Sequence, residues 1–205
     1  MPPADAQSDA NEVGELRARY PEAARLAEGA EGGTFVAREH GGTRVVCKPV
    51  DPAALPAVRR AFDVLRRVSS PHLPAPRELW VAPAGRVWLV TDWVDGAPLG
   101  LGPAPLDQVL GEALGVARGL AAIHAAGTHH GDVSLANVIR TPTRACVLVD
   151  LAELGRHGTG TPGFLAPEVL AGGGGPEADR FALGCLVVAR LTGELPLRRP
   201  QALLA

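Results

Sequence analysis

Apolar positions along the chain fall into two kinds of pattern, and the change from one to the other divides the sequence. From about residue 26 to residue 94 short apolar runs are separated by glycine-rich or proline-containing turns, which predicts antiparallel strands. Leu26 to Val36 and Val45-Val46-Cys47-Lys48 flank a turn at Gly41-Gly42, and Arg77 to Val81 and Arg86 to Val94 flank Ala82-Pro83-Ala84-Gly85. One helix interrupts these strands: Asp51 to Val68 carries Val58, Phe62, Leu65 and Val68 on one face. A weaker helical stretch, Glu12 to Arg25, is broken by Pro21, so the first strand is expected just after it. Beyond a glycine- and proline-rich linker at Gly96 to Pro105 the period becomes helical. Leu106 to Ala126 presents Leu110, Leu114, Ala117, Ala121 and His124 as one stripe, with Gly127 as terminator. A second apolar helix runs from Asp179 through Leu191 to Gly193.

Composition changes this picture little. With 205 residues and 46% hydrophobic content the chain can bury a real core, as one domain or two small lobes. Twenty Lys plus Arg against 22 Asp plus Glu leave a net charge of −2, so no global basic field points to nucleic acid as a partner. Cys47, Cys146 and Cys185 are far apart in apolar stretches, which suits reduced packing residues rather than a disulfide or zinc framework. The apolar run around Phe181 to Ala189 is too short to span a bilayer, and Met1 to Ala10 lacks a basic segment and an apolar core. A cytoplasmic location is expected, with a disordered lead-in over residues 1–12.

The chemistry concentrates between Thr128 and Asp150. Asp132 and Asn137 sit either side of a short loop, and Asp150 closes the strand-like run Val147-Leu148-Val149. Phosphoryl transfer needs a carboxylate to take a hydroxyl proton, and an amide and a second carboxylate to hold Mg²⁺ on the phosphates. Gly29 and Gly32 would let backbone amides approach phosphates without a Cβ in the way, although glycine-rich turns mostly just connect strands. Lys48, ending an apolar strand, either points into a cleft or buries its charge. His124 and His129 read as core or surface histidines, because no matching Cys or His pair accompanies them.

These residues resemble the protein kinase superfamily, and in particular bacterial eukaryotic-like serine/threonine kinases. The family's catalytic loop H-R-D-L-x-x-x-N is similar to His130-Gly131-Asp132 with Asn137, its D-F-G to Asp150-Leu151-Ala152, and its A-P-E to Ala166-Pro167-Glu168. Lys48 matches the phosphate-pairing lysine, Gly29 and Gly32 the second and third loop glycines, and Thr91-Asp92-Trp93-Val94 the segment whose backbone receives adenine. The resemblance implies an α+β, two-lobed fold: an antiparallel sheet lobe at residues 13–94 and a mainly helical, shortened lobe at 95–205. It implies ATP and Mg²⁺ as cofactors and a protein substrate, with Asp132, Lys48 and Asn137 catalytic. Gly29, Gly32, Lys48, Asp92, Asn137 and Asp150 would bind nucleotide, and Asn137 and Asp150 the metal. It makes His130 a structural histidine and Asp179 a support for the catalytic loop.

Several positions depart from the family. Ala27 replaces the first loop glycine, Val46 the alanine beside adenine, Ser134 a phosphate-contacting lysine, and Ala61 the glutamate that pairs with the lysine; Asp63 would lie on another helix face. The family continues past Ala205 with more helices, one of which carries the arginine that Glu168 pairs with. Only Arg198 and Arg199 follow here, so Glu168 is expected to be a costly buried carboxylate, and the shortened lobe to need a partner chain or dimer. Two alternatives stay open: a pseudokinase that binds nucleotide without transfer, and a small-molecule kinase of the aminoglycoside phosphotransferase type, whose loop often begins H-G-D.

Overall fold

The computed structural model describes residues 13–27, 33–158 and 160–197. The expected lead-in at 1–12, the loop glycines Gly29 and Gly32, and Arg198 and Arg199 lie outside the described residues. The architecture is α+β, and the chain divides into two compact units: Met1–Leu55 with Ala75–Trp93, and Pro56–Pro74 with Val94–Ala205. Residues 56–74, expected in the first lobe, are grouped with the second unit, where the His72 carbonyl accepts from Leu148 N–H at 2.9 Å.

The first unit is a five-stranded antiparallel sheet: β1 (Ala24–Ala27), β2 (Thr34–Arg38), β3 (Arg44–Pro49), β4 (Pro76–Val81) and β5 (Val87–Asp92), in the order β1-β2-β3-β5-β4. A helix over 13–19, α1, contributes Leu16 to a core with Tyr20, Phe35, Val45, Cys47, Trp88 and Val90. Phe35 and Trp88 meet edge-on at 5.5 Å, the arrangement that ring quadrupoles favour. Side chains alternate along a strand, so burial of Val45 and Cys47 on this face sends Val46 and Lys48 to the other. Residues directly opposite in the register share a face. Val46 pairs with Thr91 and Lys48 with Leu89, so this second face gathers Val46, Lys48, Leu89 and Thr91.

The second unit holds α2 (Leu55–Leu65, whose first residue belongs to the other unit), α3 (Leu106–Ala125), a 3₁₀ turn (Leu151–Glu153), α4 (Pro167–Leu170) and α5 (Pro176–Thr192). Helix α2 buries Val58, Phe62 and Leu65 as its spacing predicts, together with Ala61. A small sheet, β6 (Ala97–Pro98), β7 (Val138–Arg140) and β8 (Cys146–Leu148), takes up part of the expected linker. Pro98, which has no N–H to give, sits on its edge strand. Helix α5 starts at Pro176, earlier than predicted, and ends as predicted at Gly193, whose left-handed φ of 77° lets its N–H reach the Ala189 carbonyl.

The buried face of α3 is not the predicted stripe. Leu110 and Leu114 are 57% and 51% exposed and Ala121 is exposed, whereas Val109, Glu112, Gly115, Val116, Gly119, Leu120 and Ile123 are buried. Two physical features decide this. Gly115 and Gly119 have no side chain, so the backbones of Cys146 and His72 can approach within reach of where a Cβ would lie. Glu112 is neutralised within the fold, accepting from Arg190 Nε at 2.9 Å, from Arg140 at 3.2 Å and from Gln108 at 2.8 Å. Burial pushes its carboxyl up, but the hydrogen bonds from Arg190 and Gln108 and the charges of Arg190 and Arg140 outweigh that and hold it below the usual carboxylate range. Glu168 also departs from expectation: it is exposed in the first turn of α4, so it carries no burial penalty.

Candidate active site

The loop from His130 to Asn137 lies in the second unit and is fixed by a carboxylate from α5. Asp179, 2% exposed, accepts from the backbone N–H of His130 at 2.8 Å and of Gly131 at 3.0 Å, and from His124 Nε2 at 2.7 Å. A buried charge is tolerable when several donors converge on it, and here each donor is also a loop or helix group that becomes fixed in return. Gly131 turns the chain with a φ of 85°, a conformation that side-chain-bearing residues rarely adopt.

His130 is fully buried, and its two ring nitrogens have opposite roles. Nε2–H donates to the Val149 carbonyl at 2.9 Å, while Nδ1 accepts from the Asp132 N–H at 3.2 Å. The ring therefore ties the start of the loop to the residue before Asp150. Asp132 is in turn held by both its oxygens. Oδ1 accepts from Thr161 N–H at 2.8 Å and Thr161 Oγ1 at 2.6 Å, and Oδ2 accepts from Asn137 Nδ2 at 2.8 Å. Asn137 Nδ2 also donates to the Asp132 carbonyl at 2.9 Å. Asp132 and Asn137 are thus brought together.

Asp150 comes in on the neighbouring strand. Val138 pairs with Leu148, and Val149 N–H donates to the Asn137 carbonyl at 2.8 Å, so Asn137 and Asp150 leave one hairpin at adjoining positions. Asp150 has φ 69° and ψ 65°, a left-handed conformation that costs a non-glycine residue energy and is common at functional sites. The donor set fits a hard divalent cation. With Nδ2 committed to Asp132, the side-chain oxygen of Asn137 is the atom it can offer, and oxygen ligands suit a hard cation of this kind.

Thr161 has no site signal of its own in the sequence. It sits in the Gly158 to Glu168 stretch, where the neighbouring Gly160 has no room for a Cβ, which would come within 2.7 Å of Leu165 and 3.2 Å of the Gly131 carbonyl. A shallow, open recess beside it is lined by Asp132, Thr161, His129, Arg156, Phe164 and Val169 among others. Lys48 and Asp92 are in the first unit. Lys48 is half-buried on the second face of the sheet. The Asp92 carboxylate is paired with Arg77 and its N–H with the Ala75 carbonyl. The cysteines offer no alternative chemistry: burial pushes the Cys47 thiol up to about 12 and the Cys146 thiol up to about 11, far from the thiolate a nucleophile needs. Among the described residues no group of three or more metal-binding side chains of His, Cys, Asp and Glu forms.

The protein kinase domain family matches residues 24–203, which is most of the chain. The chain belongs to the protein kinase family. The sheet and helices described above are therefore those of a kinase-like α+β fold. A probable serine/threonine-protein kinase, PkwA, of Thermomonospora curvata is 29% identical over 198 residues, covering 86% of this chain and 26% of that protein. A DNA damage-responsive serine/threonine-protein kinase, RqkA, of Deinococcus radiodurans is 30% identical over 205 residues, covering 88% of this chain and 31% of that protein. A serine/threonine-protein kinase, PknJ, of Mycobacterium bovis is 34% identical over 134 residues, covering 55% of this chain and 22% of that protein. The chain thus spans between a fifth and a third of the length of these relatives. Members of the family use ATP with a divalent cation and act on proteins. Among the described residues no helix is long and apolar enough to cross a membrane.

Proposed function

We propose that this chain is an ATP-dependent kinase that transfers the γ-phosphoryl group to serine or threonine hydroxyls of a protein substrate. The observation that carries this is the Asp132 carboxylate, held from two sides by Asn137 and by the Thr161 hydroxyl and N–H at the edge of an open recess. A base aimed in advance at an incoming hydroxyl loses little to reorganisation during reaction. Asp132 orients the acceptor hydroxyl and takes its proton. Asn137 and Asp150 hold Mg²⁺, which neutralises charge on the phosphates when bound. Lys48 pairs with the phosphates, Gly29 and Gly32 cover them, and the Asp92 backbone carbonyl receives the adenine, since its carboxylate is committed to Arg77.

The sheet unit corresponds to the lobe at 13–94 without residues 56–74, the helical unit to the lobe at 95–205 with them, and the location is cytoplasmic. A second chain, another copy or a partner, covers the second unit. Support for this comes from Leu106, Leu110 and Leu114 on α3 and Val188 and Leu191 on α5, all exposed on helices that pack together.

The pseudokinase reading has two specific observations in its favour. Ala61, in the place of the lysine's acidic partner, is buried at 2% exposure, and Ser134, in the place of the phosphate-contacting lysine, is 1% exposed with its hydroxyl turned inward. Both lower the expected rate without touching Asp132 or the metal pair.

The test is thermal. Anything that binds the folded state raises the melting temperature by mass action, so ATP with Mg²⁺ should raise it, and Asp150→Asn should remove the metal-dependent part. No shift at millimolar nucleotide would oppose nucleotide use altogether. An unchanged metal response in the variant would remove Asp150 from the metal site.

A further inference from the structure

Two adjacent histidines send their rings to opposite ends of one segment. His130 reaches the Val149 carbonyl just before Asp150, whereas His129 Nε2–H donates at 2.7 Å to the carbonyl of Arg156, after the 3₁₀ turn. The His129 backbone makes a second tie, its carbonyl accepting from Gly155 N–H at 2.9 Å. His129 is itself 6% exposed, and the exposed ring of His157 covers it at a centroid distance of 5.0 Å. The glycine turn before α5 completes the arrangement. Gly158 N–H donates to the Gly173 carbonyl at 2.9 Å, and a Cβ on Gly174 would come within 2.8 Å of His157 Nδ1 and 3.4 Å of His129 Nε2.

We propose that His129 is a positioning residue: with His130 it pins both ends of the stretch carrying Asp150 to the segment that leads into Asp132, and so fixes the metal-side carboxylate relative to the base. The pin is built from a side-chain donor and backbone groups, and so needs no added charge on the segment to order it. Its effect on phosphoryl transfer rests on the kinase assignment; the pin itself does not. A segment that wanders moves Asp150 by fractions of an ångström, and misplacement on that scale costs rate more than it costs ground-state binding.

The experiment compares His129→Leu, which keeps bulk and loses the donor, with His129→Gln, which keeps an N–H at similar reach. Amide hydrogen exchange followed by mass spectrometry reads the pin directly. Exchange across Gly155 to Gly158 should quicken by about tenfold or more in the Leu variant and stay within about threefold in the Gln variant, with the β7–β8 hairpin unchanged in both. In the same preparations the transfer rate constant should fall about tenfold in the Leu variant while KM for ATP stays within about threefold, and the Gln variant should recover most of the loss. Unchanged exchange in the Leu variant would overturn the pin, and a Gln variant as loose as Leu would show that the donor is not its cause. Loosened exchange with undiminished transfer would remove His129 from positioning. A parent protein without transfer activity would count against the kinase assignment alone, because the exchange comparison still decides the pin.

Discussion

The two units keep their shape by different means. In the sheet unit the centre is apolar and aromatic: Phe35, Trp88, Val45, Cys47 and Val90 pack with Leu16 and Tyr20 from the α1 side, and the conspicuous charge pair, Arg19 with Glu78, is on the surface. In the helical unit the centre contains charge: Asp179 under the catalytic loop, and Glu112 between α3 and α5, bound to Arg190. Apolar packing tolerates small shifts, because its energy is spread over many weak contacts. A buried carboxylate does not, since it must meet particular donors at particular distances. The consequence is functional. On the proposed function, the unit that must hold Asp132, Asn137 and Asp150 in register is the one built on directional bonds, and the unit that offers a sheet face with Lys48 is built on packing.

Substitutions sharpen this contrast. Asp179→Ala should have the largest effect, because it strands the N–H groups of His130 and Gly131 and the His124 donor together. Leaving buried polar groups without partners should cost about 3 to 5 kcal/mol of stability in denaturant unfolding, and should loosen exchange at the catalytic loop before the sheet unit is affected. Equal loosening of both units would erase the distinction. Trp88→Ala should cost a similar or slightly smaller amount, about 3 to 4 kcal/mol, from lost burial and a cavity, but should leave the catalytic-loop amides protected.

A pH titration separates the units further. The Glu112 carboxyl is held below its ordinary range in the folded chain, so its contribution to stability is complete above the unfolded value and is lost as pH falls through the lowered folded value. Acid unfolding should therefore begin in the helical unit as pH falls through the ordinary carboxylate value, and the loss should be complete below the lowered folded value. Glu112→Gln should flatten that acid slope at the expense of stability at neutral pH. An unaltered slope would show that another carboxylate controls it. The smallest effect is expected on the outer face of α3. Leu110→Gln or Leu114→Gln should change the stability of the isolated chain by no more than about 0.5 kcal/mol, as for other exposed positions, while lowering any concentration-dependent association seen by light scattering.

The grouping of His130, Asp132 and Asn137 over Asp179 was legible in the sequence, because residue type at fixed spacing marks it without coordinates. The strands and α2 were legible from period and turn residues. The buried face of α3 was not, because the helix has apolar residues on two sides and its inner side includes a glutamate. The clue lay in Gly115 and Gly119, small residues where another backbone comes close, and in Arg190 far along the chain. Strand β6 was hidden because Ala97 and Pro98 look like linker and pair only at an edge. Thr161 and His129 could not be assigned from spacing, since each acts on a group brought near by the fold: Thr161 on Asp132, and His129 on the Arg156 carbonyl.

The most direct measurement replaces Asp132 by Asn and follows binding and transfer in the same protein. On the proposed function Asp132 meets the acceptor hydroxyl rather than the phosphates, so its loss should remove a transition-state interaction and leave the nucleotide clamp nearly intact. Transfer should fall by about 10² to 10⁴, the usual worth of a positioned general base, while the ATP- and Mg²⁺-dependent rise in melting temperature should stay close to that of the parent. Equal transfer by parent and variant would take Asp132 out of the mechanism and contradict the kinase assignment at its centre.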